Sequence, residues 1–148
     1  MTAEADLAGF IDKFAPDVQD LIRGCRTKMR ALFPDAVELV YDNYNFLVIG
    51  YSPTVRPSQS IFSVAAHKRG VNLCFLQRAA ELPDPTSILR GEGNTVRNTR
   101  VKAAEDLDRP DVRDLIDAAL RLAAVPMAAA IGPQLIVRSV SAKQRPRR

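Results

Sequence analysis

The chain reads as an α+β domain: an antiparallel sheet of about five strands, with N-terminal helices and a long C-terminal helix packed on one face. Three observations predict this. Apolar residues recur at helical spacing through residues 7–33, alternate with period two through the middle of the chain, and return to helical spacing after residue 108.

Leu7, Phe10, Ile11 and Phe14 fall on one helical face, and Pro16 interrupts them. From Asp17 the period resumes with Val18, Leu21, Ile22, Cys25, Met29, Leu32 and Phe33, until Pro34 stops it. The opposite face runs from Asp17 and Asp20 to Lys28 and Arg30, an order that suits the helix dipole. Residues 37–41 alternate as a half-buried strand, Asp42-Asn43 makes a turn, and the apolar run 46–51 is the next strand. Prolines 53 and 57 make the following segment a loop.

Residues 60–77 form a hairpin about Arg69-Gly70. Pairing Lys68 with Val71 sets Ala66 opposite Leu73 and Val64 opposite Phe75 on a core face. The other face then carries Ile61, Ser63, Ala65 and His67 against Asn72, Cys74 and Leu76. Further on, Asp84 and Pro85 are placed to open a short helical turn, which Gly91 and Gly93 break. Residues 95–102 alternate as a fifth strand, less apolar and so nearer an edge. Asp108 and Pro110 begin a helix with a broad apolar face, limited by Pro126. The segment 134–140, QLIVRSV, has strand character, and its partner is an edge of the chain's own sheet or a second chain.

At 148 residues the chain fits one domain, residues 1–141, followed by a basic flexible tail, 142–148. No apolar run approaches the roughly 20 residues that span a bilayer, and the first ten residues lack the basic start and apolar block of a signal peptide. A cytoplasmic protein with no membrane partner is the expectation. Cys25 and Cys74 read as small core residues rather than a disulfide, and two cysteines with one histidine fall short of a four-ligand zinc site. The net charge is +4, and Lys143, Arg145, Arg147 and Arg148 in the tail match that whole excess.

Tyr41, Asn43, Tyr44 and Asn45 gather phenols and amides at a strand end, as a small-ligand pocket or as a hydrogen-bonded turn would. His67, Asn72 and Cys74 on the second face of the hairpin are further ligand candidates. The Lys68 and Arg69 cations beside His67 should lower its pKa. With no third member beside His67 and Cys74, no reaction can be named and no catalytic residue is assigned. Gly91 and Gly93, with Arg97 and Arg100, offer an anion cradle, or equally a turn that needs glycine.

Residues 40–44 (VYDNY), 82–85 (LPDP) and 89–93 (LRGEG) followed by Arg97 resemble the YdhG-like family, a domain of unknown function in the frataxin-like (YjbR/CyaY-like) superfamily. The ending RSVSAKQRPRR resembles that of one branch, and the likeness covers roughly residues 17–148. This resemblance implies a frataxin-like fold and, by analogy with one branch, an iron-chaperone-like role. The ligands such a role would use are Glu4, Asp6, Asp12, Asp17 and Asp20, which also read as a solvated helical face. The resulting expectation is a non-enzymatic binding domain that holds a small ligand, an iron ion or a second copy of itself. Its rival is a basic-tail module that contacts nucleic acid or an acidic protein partner.

Overall fold

The computed structural model describes residues 2–148. Helices α1 (Ala3–Asp12) and α2 (Pro16–Leu32) come first, followed by strands β1 (Val37–Asp42), β2 (Leu47–Ser52), β3 (Phe62–His67), β4 (Gly70–Phe75) and β5 (Arg97–Val101). Helix α3 (Pro110–Leu122) and strand β6 (Gln134–Val140) complete the chain. Among the described residues no helix is long and apolar enough to cross a membrane.

The helices begin where a side-chain cap or a proline limits the cost of free N–H groups. Thr2 Oγ1 accepts from the Ala5 N–H at 3.1 Å, so α1 starts before the apolar period does. Pro16 and Pro110 open α2 and α3, where a missing N–H costs nothing. Asp108, expected as the cap of α3, instead binds Lys28 and Arg113. At Asp84 the expected helical turn is a single one, in which Asp84 O accepts from the Ser87 N–H at 3.1 Å. Its carboxylate accepts from the N–H groups of Ile88 at 3.0 Å and Leu89 at 2.9 Å, closing a loop.

The strand order is β5-β4-β3-β2-β1-β6, and the sheet is mixed rather than purely antiparallel. β6 pairs with β1 in parallel, so QLIVRSV takes its partner within the chain. β5 and β6 lie at opposite edges, so the chain between them, α3 included, crosses the sheet. A long crossover is what permits a parallel pair. A bulge between Val137 and Ser139 leaves Arg138 as the extra residue.

The central hairpin turns at Lys68-Arg69, one position earlier than its sequence suggests. Ala66 therefore faces Val71, Val64 faces Leu73, and Phe62 faces Phe75. The displacement in register is two residues, so every side chain keeps its predicted face except Ile61, which precedes β3 and joins the core. Leu7 and Ile11 of α1, Ile22 and Met29 of α2, and Leu115 and Ile116 of α3 all pack onto that face. Phe62 is at its centre, stacked on Phe33 at 5.3 Å and edge-on to Phe75 at 5.9 Å. Replacing Phe62 by Ala should lower the unfolding free energy by about 3–5 kcal/mol in urea titration. A loss below about 1 kcal/mol would contradict this packing.

Candidate functional site

The second face of the sheet is less open than its composition suggests. Ser63 and Ala65 are 4% and 7% exposed, and Val37 and Leu39 are buried apart from the helix-side cluster. The face opens at one end, where the turn between β1 and β2 and the β3-β4 turn lie side by side with Asp42 and Leu47 in register. There a cleft of about 590 Å³ is lined by Asn45, Phe46, His67, Lys68, Arg69, Asn72, Arg145 and Pro146.

Each element brings its residue for a local reason. Asn43 N–H donates to Phe46 O at 2.9 Å, closing the turn that presents Asn45 and Phe46. Phe46 meets the His67 ring edge-on at 5.7 Å and forms an aromatic wall. Asn72 is in register with Ala65 on one side and Arg100 on the other, which brings Arg100 from β5 to the same end. The Arg100 guanidinium crosses Gly70, whose φ is +135°. A Cβ there would stand 2.6 Å from Arg100 Nη2, so glycine both permits the backbone and clears the path.

His67 Nδ1 accepts from the Arg69 N–H at 3.1 Å, which assigns the proton of the neutral ring to Nε2. Nε2 stands 3.5 Å from Arg100 Nη1, while Arg100 Nη2 donates to Arg69 O. Two N–H donors thus stand side by side, and neither can accept from the other. Burial, then the Arg100 and Arg69 charges, hold the His67 pKa below its ordinary 6.5. Among the described residues, Lys68, Arg69, Arg100 and Arg145 have no carboxylate in ion-pair range, and no carboxylate lines the cleft.

Of the ligand candidates, Asn45, His67 and Asn72 come together here. Tyr44 is adjacent, its ring under the Arg145 guanidinium at 5.6 Å. Tyr41 pairs with Val48 and Ser139 along the sheet, and Asn43 Oδ1 accepts from Ser139 Oγ at 2.9 Å, so neither lines the cleft. Cys74 lies opposite Ser63, four residues from His67 along β3 and so on the order of 13 Å away. Burial pushes its thiol pKa up, and that of Cys25 to about 12, so neither is an activated nucleophile.

The anion candidates divide. Arg100 joins the cleft, whereas Arg97 Nε donates to Gly93 O at 3.1 Å. Gly91 has φ +104°, so the turn reading accounts for it, while Gly93 has an ordinary φ with its Cβ direction 3.3 Å from Val96 O. Phe46, Lys68, Arg69, Arg145 and Pro146 are the lining residues that sequence reasoning did not single out. Clustering of Lys68, Arg69 and His67 at a hairpin tip was the available signal for two of them.

The C-terminal segment lies against the fold. Arg147 is 5% exposed and donates through Nη2 to Asp42 Oδ1 at 3.0 Å and Asn43 O at 2.6 Å. Asp42 has no exposed side-chain surface, and its other oxygen accepts from Lys13 Nζ at 2.6 Å. A buried carboxylate that needs two cations is a physical reason for the tail to dock.

Comparison with protein-family models, with curated proteins and with solved structures found no match for this chain.

Neutralising Arg100, as Arg100→Gln, removes one of the charges that lower the His67 pKa, so that pKa should rise toward 6.5 in an NMR titration. Sulfate, which stays a dianion across that range, should raise it as well by favouring the imidazolium. A His67 pKa indifferent to both would mean that no anion meets the ring.

Proposed function

We propose that this is a non-enzymatic binding domain whose cleft takes a small ligand carrying two or more negative charges. The observation that carries this reading is the pair of adjacent donors, His67 Nε2–H and Arg100 Nη1–H, which face each other without an acceptor. A phosphate or sulfate oxygen between them would accept from both. Lys68, Arg69 and Arg145 supply further positive charge around that point, and Asn45 and Asn72 add amide donors and acceptors. Phe46 walls one side with an apolar face, which suits a ligand whose charged group is attached to a ring or chain.

The metal reading has less to stand on. Glu4 is bound to Arg26 and Asp12 to Arg23, and among the described residues no three His, Cys, Asp or Glu side chains gather. The YdhG-like resemblance lends a binding role without naming a ligand, and two of the five acids its iron-chaperone part would use, Glu4 and Asp12, are already paired. The basic-tail reading loses Arg147 to Asp42, and Arg148 is tied to the backbone oxygens of Asp12 and Lys13, which leaves Lys143 and Arg145 of its four basic residues without either restraint.

Titration calorimetry with inorganic pyrophosphate should detect binding to the wild-type protein. Arg100→Ala should weaken it about tenfold or more, the effect of losing a charge-assisted hydrogen bond. Equal affinity in the two proteins would overturn the assignment of the site to this cleft.

A further inference from the structure

We infer that residues 141–148 form a docked strap that completes the cleft, with Arg147 as the positioning residue for Arg145. This rests on the anion-binding reading of the cleft and adds a moving part to it.

The strap is held residue by residue. Ser141 N–H donates to Asp42 O at 2.8 Å, and Gln144 Nε2 donates to the same oxygen at 3.0 Å. Gln144 Oε1 accepts from Lys13 Nζ at 3.0 Å, and the Arg145 N–H donates to Tyr44 O at 2.8 Å. Gln144 and Arg147 thus face the fold, while Arg145 and Pro146 are exposed and line the cleft. Pro146 fixes its own φ and keeps Arg145 extended, so the two arginines are coupled through a stiff joint.

Arg147 is buried with only part of its hydrogen-bonding capacity used. Its Nε and Nη1 are buried and, among the described residues, have no hydrogen-bond partner, while its guanidinium lies 5.6 Å from the Phe14 ring centroid. Unpaired buried donors are a cost, and the Asp42 carboxylate, which would otherwise lose one of its two cations, offsets it. What a guanidinium does there, and an apolar group cannot, is bind the Asp42 carboxylate and the Asn43 carbonyl together. Those acceptors belong to the end of β1 and the turn that presents Asn45 and Phe46. Arg147 therefore ties the strap to the very turn that forms the aromatic wall and sets where Arg145 stands relative to His67. By linkage, a ligand that engages Arg145 must favour the docked strap by the same factor that docking raises its affinity.

Pyrophosphate is titrated into full-length wild type, Arg145→Gln, Arg147→Met and the double variant, with hydrogen exchange of the Arg145 amide followed in parallel. Each single change is expected to weaken binding about tenfold or more, and the double variant to bind no more weakly than Arg145→Gln, because Arg147 acts only through Arg145. Losses that multiply in the double variant, or wild-type affinity in Arg147→Met, overturn the positioning role while leaving the cleft reading intact. In the absence of ligand, Arg147→Met should speed exchange at Arg145 about tenfold or more, and unchanged exchange overturns the strap whether or not pyrophosphate binds. Should Arg147→Met not fold, Arg147→Lys serves in its place. It keeps the charge for Asp42, lacks the two-pronged reach, and is expected to stay folded while binding more weakly. A wild type that does not bind pyrophosphate, yet shows faster exchange in Arg147→Met, overturns the cleft reading and with it the role of Arg145.

Discussion

Asp42 is a carboxylate with no exposed side-chain surface, at the end of the strand that leads into the site. Removing such an ion from water costs several kcal/mol, and only good hydrogen bonds from cations offset it. Lys13 supplies one from the residue after α1, and Arg147 supplies the other from the chain's second-last position. One buried charge therefore ties a helix end, a central strand and the C-terminus together. The turn that holds Asn43, Asn45 and Phe46 follows directly, and the strap that holds Arg145 returns to it. Without Asp42 the two walls of the cleft would have no common anchor.

The charges of the chain are sorted by the fold. On the helix side acids and bases neutralise one another, with Arg26 between Glu4 and the buried Glu38, and Glu38 also accepting from Tyr51 Oη at 3.0 Å. Burial, then the neighbouring Glu38, raises the Tyr51 pKa well above its usual range, so the phenol stays a neutral donor. At the open end of the sheet, among the described residues, the bases stand without carboxylates in ion-pair range. Mutual repulsion among Lys68, Arg69, Arg100 and Arg145 is tolerable there because solvent screens it, and an anion would relieve it. A formal net charge of +4 thus understates how positive one end of the molecule is.

Much of this end was legible from periodicity. His67 and Asn72 alternate out of the core, and a two-residue error in register leaves them on the same face. Asn45 was visible as a turn residue. Arg100 is legible too, but beside Gly91 and Gly93, its neighbours in sequence, whereas His67 is its neighbour in space. Cys74 illustrates the converse: it shares a face with His67, yet strand rise keeps them apart. Phe46 looked like the first residue of a strand, although it closes a turn.

Local chemistry determined what sequence alone could determine: two N-terminal helices separated at Pro16, a last helix with Pro110 in its first turn, strands with one apolar face, and a hairpin that turns His67 and Asn72 away from the core. These follow from contacts a few residues apart, where backbone preference and side-chain period are enough. Tertiary structure decided the parallel docking of β6 on β1, the approach of Arg100 across Gly70, and the burial of Arg147 against Asp42. Those pairings span about 30 to 100 residues. They depend on which edge of the sheet remains unpaired and which buried charge remains unsatisfied once everything else has folded. A basic tail carries no local mark of either.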